Sequence, residues 1–190
     1  MNVTDEHLNP TQILEEKRRE RNNIKDYLQS KKYSIVTTRF NNETWGENRS
    51  YIKNKPLYKS LYSVPSPMGK NIPIDRTVFV LELNNEENHI MGIGMVKNHP
   101  KINEKQIYTD QNSNRYAFNG KHRIAREDMN DKEERLMKAF DILCFTGNSH
   151  MKRGGGILSY PTAMLYRVSS VVDLVDFIHN MFKERNLFKK

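Results

Sequence analysis

Cysteine is almost missing from this chain: Cys144 is the only one in 190 residues. An intramolecular disulfide and a cysteine-rich zinc site are both excluded. The expected compartment is therefore reducing and intracellular, cytoplasm or nucleus. Long apolar runs are missing too. None reaches the roughly 18 residues that a membrane-crossing helix needs, so no membrane is expected as a partner. The opening MNVTDEHLNP is acidic and polar, unlike a secretory leader. Acidic residues are in deficit, with 23 Asp and Glu against 31 Lys and Arg, a net charge of +8. Such an imbalance speaks of partners and not of fold. For a basic chain the first expected partner is nucleic acid. An AT-rich coding bias, visible in the pairs Asn22-Asn23, Asn41-Asn42 and Asn84-Asn85, would raise Lys and Asn alike.

What is present clusters. Thr77 to Val96 holds two apolar runs, Val78–Leu81 and Ile90–Val96, around the polar turn Asn84–Asn88. This predicts a β-hairpin at the centre of a sheet, covered on both faces. Gly92 and Gly94 fall on one face of the second strand. Glycine inside a strand marks a bulge or a close approach, by a tightly crossing helix or by a ligand.

Around this pair the patterning predicts one α+β domain over residues 33–190, preceded by a tail and a charged helix over 1–32. Asn9-Pro10-Thr11 starts the helix, which ends near Gln29-Ser30. Tyr33–Phe40 reads as a strand, Leu57–Tyr62 as a short helix, and Val64–Pro73 as a loop. A brief strand is expected at Gln106–Tyr108. Asn119-Gly120 predicts a tight hairpin between Asn114–Phe118 and Lys121–Ala125. Asn130 with Glu133 is a capping box for a helix that buries Cys144 as inert core. Ala163–Val168 reads as a last strand. A final helix buries Val171, Leu174, Val175, Ile178, Met181 and Phe182.

Two constellations carry chemistry. In the first, Trp45 and Arg49 share a face if Thr44–Tyr51 is helical. An indole beside a guanidinium can stack a base and hold a phosphate. The alternative is a core tryptophan with Arg49 paired to Glu47. The second is the glycine-rich loop Asn148-Ser149-His150-Met151-Lys152-Arg153-Gly154-Gly155-Gly156, whose amides and cations suit a phosphate. With Lys121, His122 and Arg123 it would form a basic surface. It lacks the order of a P-loop. His122 and His150 leave open an acid–base ribonuclease, although no motif supplies a carboxylate companion. A packing protein of a virion or of chromatin, using charge alone, is a further alternative.

The order Thr44-Trp45-x-x-x-Arg49-x-Tyr51, ahead of Val78-Phe79-Val80-Leu81 and Ile90-x-Gly92-Ile93-Gly94-Met95-Val96, resembles the PUA-like superfamily, nearest its EVE and YTH branches. The match covers residues 33–97. The resemblance implies a small mixed β-barrel or sheet of five or six strands wrapped by three or four helices. It implies a reader that flips a modified base, N6-methyladenine-like, of RNA or DNA into an aromatic cage, without a cofactor, a metal or catalysis. Carried over, Trp45, Arg49 and Tyr51 match the family's tryptophan, arginine and tyrosine, and Gly92 its strand glycine. In the expected pocket Trp45 stacks the base and Asn48 reads its edge, with Tyr62 and Tyr116 as further members. Tyr58 and Phe118 are further candidate walls. The family's cages use two or three tryptophans, and this chain has one. Lys121, Arg123, Ser149, His150, Lys152 and Arg153 would hold phosphates. Oligomeric state is left open.

Overall fold

A computed structural model describes residues 9–55, 57–148 and 150–188. Helix α1 (Pro10–Ser30) opens where Asn9 caps the Thr11 and Gln12 amides while the Gln12 side chain reaches back to Asn9. None of its residues is buried. Strand β1 (Ser34–Phe40) leads into α2 (Asn42–Lys53), started by a reciprocal cap between Asn41 and Thr44. Then come β2 (Ser60–Val64), β3 (Thr77–Asn84), β4 (His89–Lys97), β5 (Lys101–Ile102), β6 (Tyr116–Gly120) and β7 (His122–Ala125). Helix α3 (Asp131–Phe145), strand β8 (Leu158–Ser159), and helices α4 (Thr162–Val168) and α5 (Leu174–Glu184) complete the chain. No helix among the described residues is long and apolar enough to cross a membrane.

The architecture is α+β, with two open sheets in place of one small barrel. The larger runs β7-β4-β3-β1-β8, with β1 and β3 parallel, and the smaller runs β2-β6-β5. Eight strands and five helices among the described residues exceed the expected five or six and three or four. Alternation along β1, β3 and β4 divides the core between the two faces of the large sheet. One face buries Ile35, Phe79, Leu81 and Ile93 under α3, α4 and α5. The other buries Val36, Val78, Val80 and Val96 against the small sheet and α2. The fold is thus three layers: helices, large sheet, then small sheet with α2.

Several local expectations give way to tertiary context. Residues 60–64 are a strand and not a helix, because all five are buried between β6 and the large sheet. Ala163–Val168 is helical, and the edge strand is the shorter β8. The brief strand lies at Lys101–Ile102 rather than at Gln106–Tyr108. Val171 is 90% exposed and precedes α5, two residues ahead of the Asp173 cap, while Leu174, Val175, Ile178, Met181 and Phe182 are buried as expected. Cys144 is buried as expected, and burial pushes its thiol up to about 12.

The Asn119-Gly120 hairpin does not form. Strand β6 pairs with β2 and β5, whereas β7 pairs with β4, so the chain crosses from one sheet to the other at Lys121. Gly120 serves that crossing: a Cβ there would lie 1.9 Å from the Met95 carbonyl oxygen. The glycines of β4 are likewise explained by side chains and not by a crossing helix. A Cβ on Gly94 would sit 1.7 Å from the Tyr62 hydroxyl, and one on Gly92 2.6 Å from Arg123 Nη2.

Gly94→Ala is expected to cost about 1–3 kcal/mol through overpacking. In a Tyr62→Phe background the penalty should shrink by more than the ~0.5 kcal/mol expected of independent sites. Urea unfolding of the four proteins of this cycle tests it, and strict additivity would refute the contact.

Candidate functional site

The glycines of β4 make room for a buried charge. Glu82 interrupts the apolar run of β3, where the pairing with β4 shifts register between Leu81 and Leu83. Its side chain is fully buried on the face toward the small sheet. The Tyr62 hydroxyl donates to its Oε1 at 2.7 Å. Arg123 donates through Nε to both carboxylate oxygens, at 3.1 and 2.9 Å, and its Nη2 lies 2.8 Å from Oε2. Nη2 also donates to the Met91 carbonyl at 3.0 Å. Burial and the neighbouring carboxylate push the Tyr62 phenol well above its ordinary pKa. Arg123 is held above its usual value by Glu82, against the pull of burial.

Above this pair sits Trp45 on α2. Its ring is half-buried, edge-on to Phe40 with centroids 5.1 Å apart. The Arg123 guanidinium lies 5.4 Å from the Trp45 ring and that of Arg49, one helical turn on, lies at 4.6 Å. Arg49 does not pair with Glu47, whose carboxylate accepts from the Thr109 amide at 2.8 Å. The acceptor on Arg49 is the Asn48 side-chain oxygen. No carboxylate of a described residue lies within 4 Å of the Arg49 guanidinium. Burial lowers its pKa, Glu82 opposes that and Arg123 adds to it. An arginine keeps its proton through such shifts.

Two clefts flank the Trp45–Arg49 pair. One, of about 410 Å³, is lined by Arg49, Lys59, Lys121, His122 and Arg123, with Asp128 its one carboxylate among the described residues. The other, of about 390 Å³, is bordered by Trp45, Asn42, Asn84, Glu87, His89 and Met91. The first is a concentration of positive charge, and the second a shallow seat with an indole at its edge.

Of the residues picked from the sequence, Trp45, Arg49, Lys121 and Arg123 come together. Asn48 does not face a cleft. It is fully buried, and its amide donates to the Leu61 carbonyl at 2.7 Å and the Tyr108 hydroxyl at 3.1 Å. Tyr62 and Phe118 are interior rather than cage walls, and Tyr51 and Tyr116 pack half-buried on the inter-sheet core. Tyr58 has Lys105 over its ring. The aromatic partner of Trp45 is Phe40, so a cage of several rings does not assemble.

The glycine-rich loop lies apart from this cleft. The Lys152 amide donates to His150 Nδ1 at 3.3 Å, and the carbonyls of Met151 and Lys152 accept from Arg39 and Asn85. The loop leads into β8, at the opposite edge of the large sheet from β7, so His150, Lys152 and Arg153 do not share the cleft of Lys121 and Arg123. His122 lines that cleft and His150 does not. Ser149 lies outside the described residues. Sequence reading missed Lys59 and Glu82. Lys59 carries no signal, but a carboxylate inside an apolar strand run is one, since burial demands a partner.

No protein-family model, curated protein or solved structure matches this chain.

Arg123→Met is expected to cost about 3–5 kcal/mol, because Glu82 is left buried without its cation. Replacing both, as Glu82→Leu with Arg123→Met, should cost less than the single change. Urea unfolding midpoints compare the two. A double variant less stable than the single would show that the pair is not the determining interaction.

Proposed function

We propose that this chain is a nucleic-acid-binding protein of PUA-like kind. A phosphate sits in the cationic cleft between α2 and β7, and the neighbouring base rests against Trp45. The observation that carries this reading is Arg49: a half-buried guanidinium with no carboxylate partner among the described residues, facing a cleft it shares with Lys59 and Lys121. A shielded cation without a counter-ion favours an anionic ligand, and a fork-shaped one suits phosphate oxygens. The adjoining seat at Trp45 lets one base meet the indole and the Met91 side chain. What supports the superfamily reading is the α+β architecture with a mixed sheet, together with the residue order Thr44-Trp45-x-x-x-Arg49-x-Tyr51 ahead of the central strand pair.

Energetics set the division of labour. Extruding a base costs a few kcal/mol, and one aromatic stack returns about 1–3 kcal/mol. With one indole and no cage, phosphate contacts supply most of the net affinity. Discrimination of a methylated base then rests on the Trp45 seat alone.

Fluorescence anisotropy with single-stranded 12-mers, with and without one N6-methyladenine, tests the reading. Arg49→Ala should weaken binding about tenfold for both oligonucleotides. Lys59→Ala with Lys121→Ala should flatten the salt dependence of log K by about 1.4, at ~0.7 per lost phosphate contact. Trp45→Ala should remove any preference between the two oligonucleotides and leave salt-sensitive binding in place. Wild-type affinity in all three variants would overturn the proposal in favour of diffuse packing by charge. Turnover of the oligonucleotide, abolished by His122→Ala, would favour a nuclease.

Proton linkage gives an independent check. Burial first, and Lys121 second, hold His122 below its ordinary 6.5. A bound phosphate favours the imidazolium, so binding takes up a proton. Affinity should rise as pH falls from 7.5 toward 5.5, and His122→Gln should flatten that rise.

A further inference from the structure

A third cavity lies at the other edge of the large sheet, on its helix-covered side. It measures about 430 Å³, within the ~300–1,000 Å³ of small-molecule sites. Its floor is apolar and buried: Ile35 of β1, Tyr160, Leu165 of α4 and Val175 of α5. Its mouth is cationic, with Lys25 and Lys31 at the end of α1 and Arg76 ahead of β3. No acidic residue among those described lines it.

The three cations are not equivalent. The Lys31 ammonium is held between Asp173 and Asp176, 2.7 Å from each. Arg76 donates to the Lys31 carbonyl and, at 3.4 Å, to the Ser34 hydroxyl, both neutral acceptors. Among the described residues no carboxylate pairs with Arg76 or Lys25. Three cations against the two carboxylates at Lys31 leave the mouth one net positive charge, carried on the Lys25 and Arg76 side, above an apolar floor. Asn71, bonded to the Ser159 hydroxyl at 2.9 Å, bridges part of the rim.

We infer that this cavity binds a small amphipathic anion, a single carboxylate or phosphate head on an apolar body. Arg76 and Lys25 take the head, and the floor beneath α1 takes the body. A purely apolar guest would leave that charge unanswered, and a free inorganic anion would leave the floor empty. The site shares no lining residue with the cationic cleft, so it stands whether or not nucleic acid binds there.

Isothermal titration calorimetry of the full chain with decanoate, below its micellar range, is the test. One saturable site is expected, with decanol and inorganic phosphate each binding at least tenfold more weakly. Arg76→Gln should weaken decanoate about tenfold and Lys25→Gln several-fold. Lys138→Gln, on an exposed position of α3, should leave binding unchanged. Should Arg76→Gln fail to fold, the exposed Lys25→Gln carries the comparison. The inference is overturned by absence of a saturable site, by decanol binding as tightly as decanoate, or by Lys25→Gln and Arg76→Gln binding like wild type. Displacement of decanoate by an oligonucleotide would also overturn it, since it would merge the two sites.

Discussion

The Glu82 carboxylate, buried between the two sheets, constrains everything around it. A fully desolvated charge cannot stand alone, and the Tyr62 hydroxyl and the Arg123 guanidinium answer it. Those two groups need space, and the space is the missing side chains of Gly92 and Gly94. Arg123 must also arrive on the inter-sheet face. The chain's crossing at Lys121, made possible by Gly120, delivers it there. Carboxylate, tyrosine, arginine and three glycines are thus one device spread over β2, β3, β4, β6 and β7.

The same device shapes the candidate site. Arg123 is committed to Glu82, so its charge is largely answered from below. Arg49 lies against the same indole and receives only a more distant attraction from Glu82. Two guanidiniums on one tryptophan repel each other, yet only one has a counter-ion. That asymmetry gives the cleft its unanswered charge. The buried pair sets the position, and Arg49, Lys59 and Lys121 provide the attraction.

Much of the fold was legible locally. Asn9 and Asn130 each begin a helix through a reciprocal cap, and such caps depend on residues three apart. The Val78–Leu81 and Ile90–Val96 runs announced the central pair because burial on both faces leaves no polar alternation. Leu61-Tyr62 and Met164-Leu165 depart from expectation because short apolar stretches fit a helix or a buried strand equally well. Only the neighbours on each side decide them.

Trp45 with Arg49 was readable because both lie on one helix, four residues apart. Asn48, between them, shares that local signal but turns inward, where the Leu61 carbonyl and the Tyr108 hydroxyl claim it. The sequence by itself determined the starts of α1 and α3, the central strand pair, the basic balance and the indole–guanidinium spacing, because each rests on near neighbours along the chain. Tertiary structure alone decided which cations keep a counter-ion, which aromatics reach a cleft, and that Asn119-Gly120 is a crossing and not a turn. Those outcomes depend on groups brought together from distant strands, and nothing in local spacing encodes which two will meet.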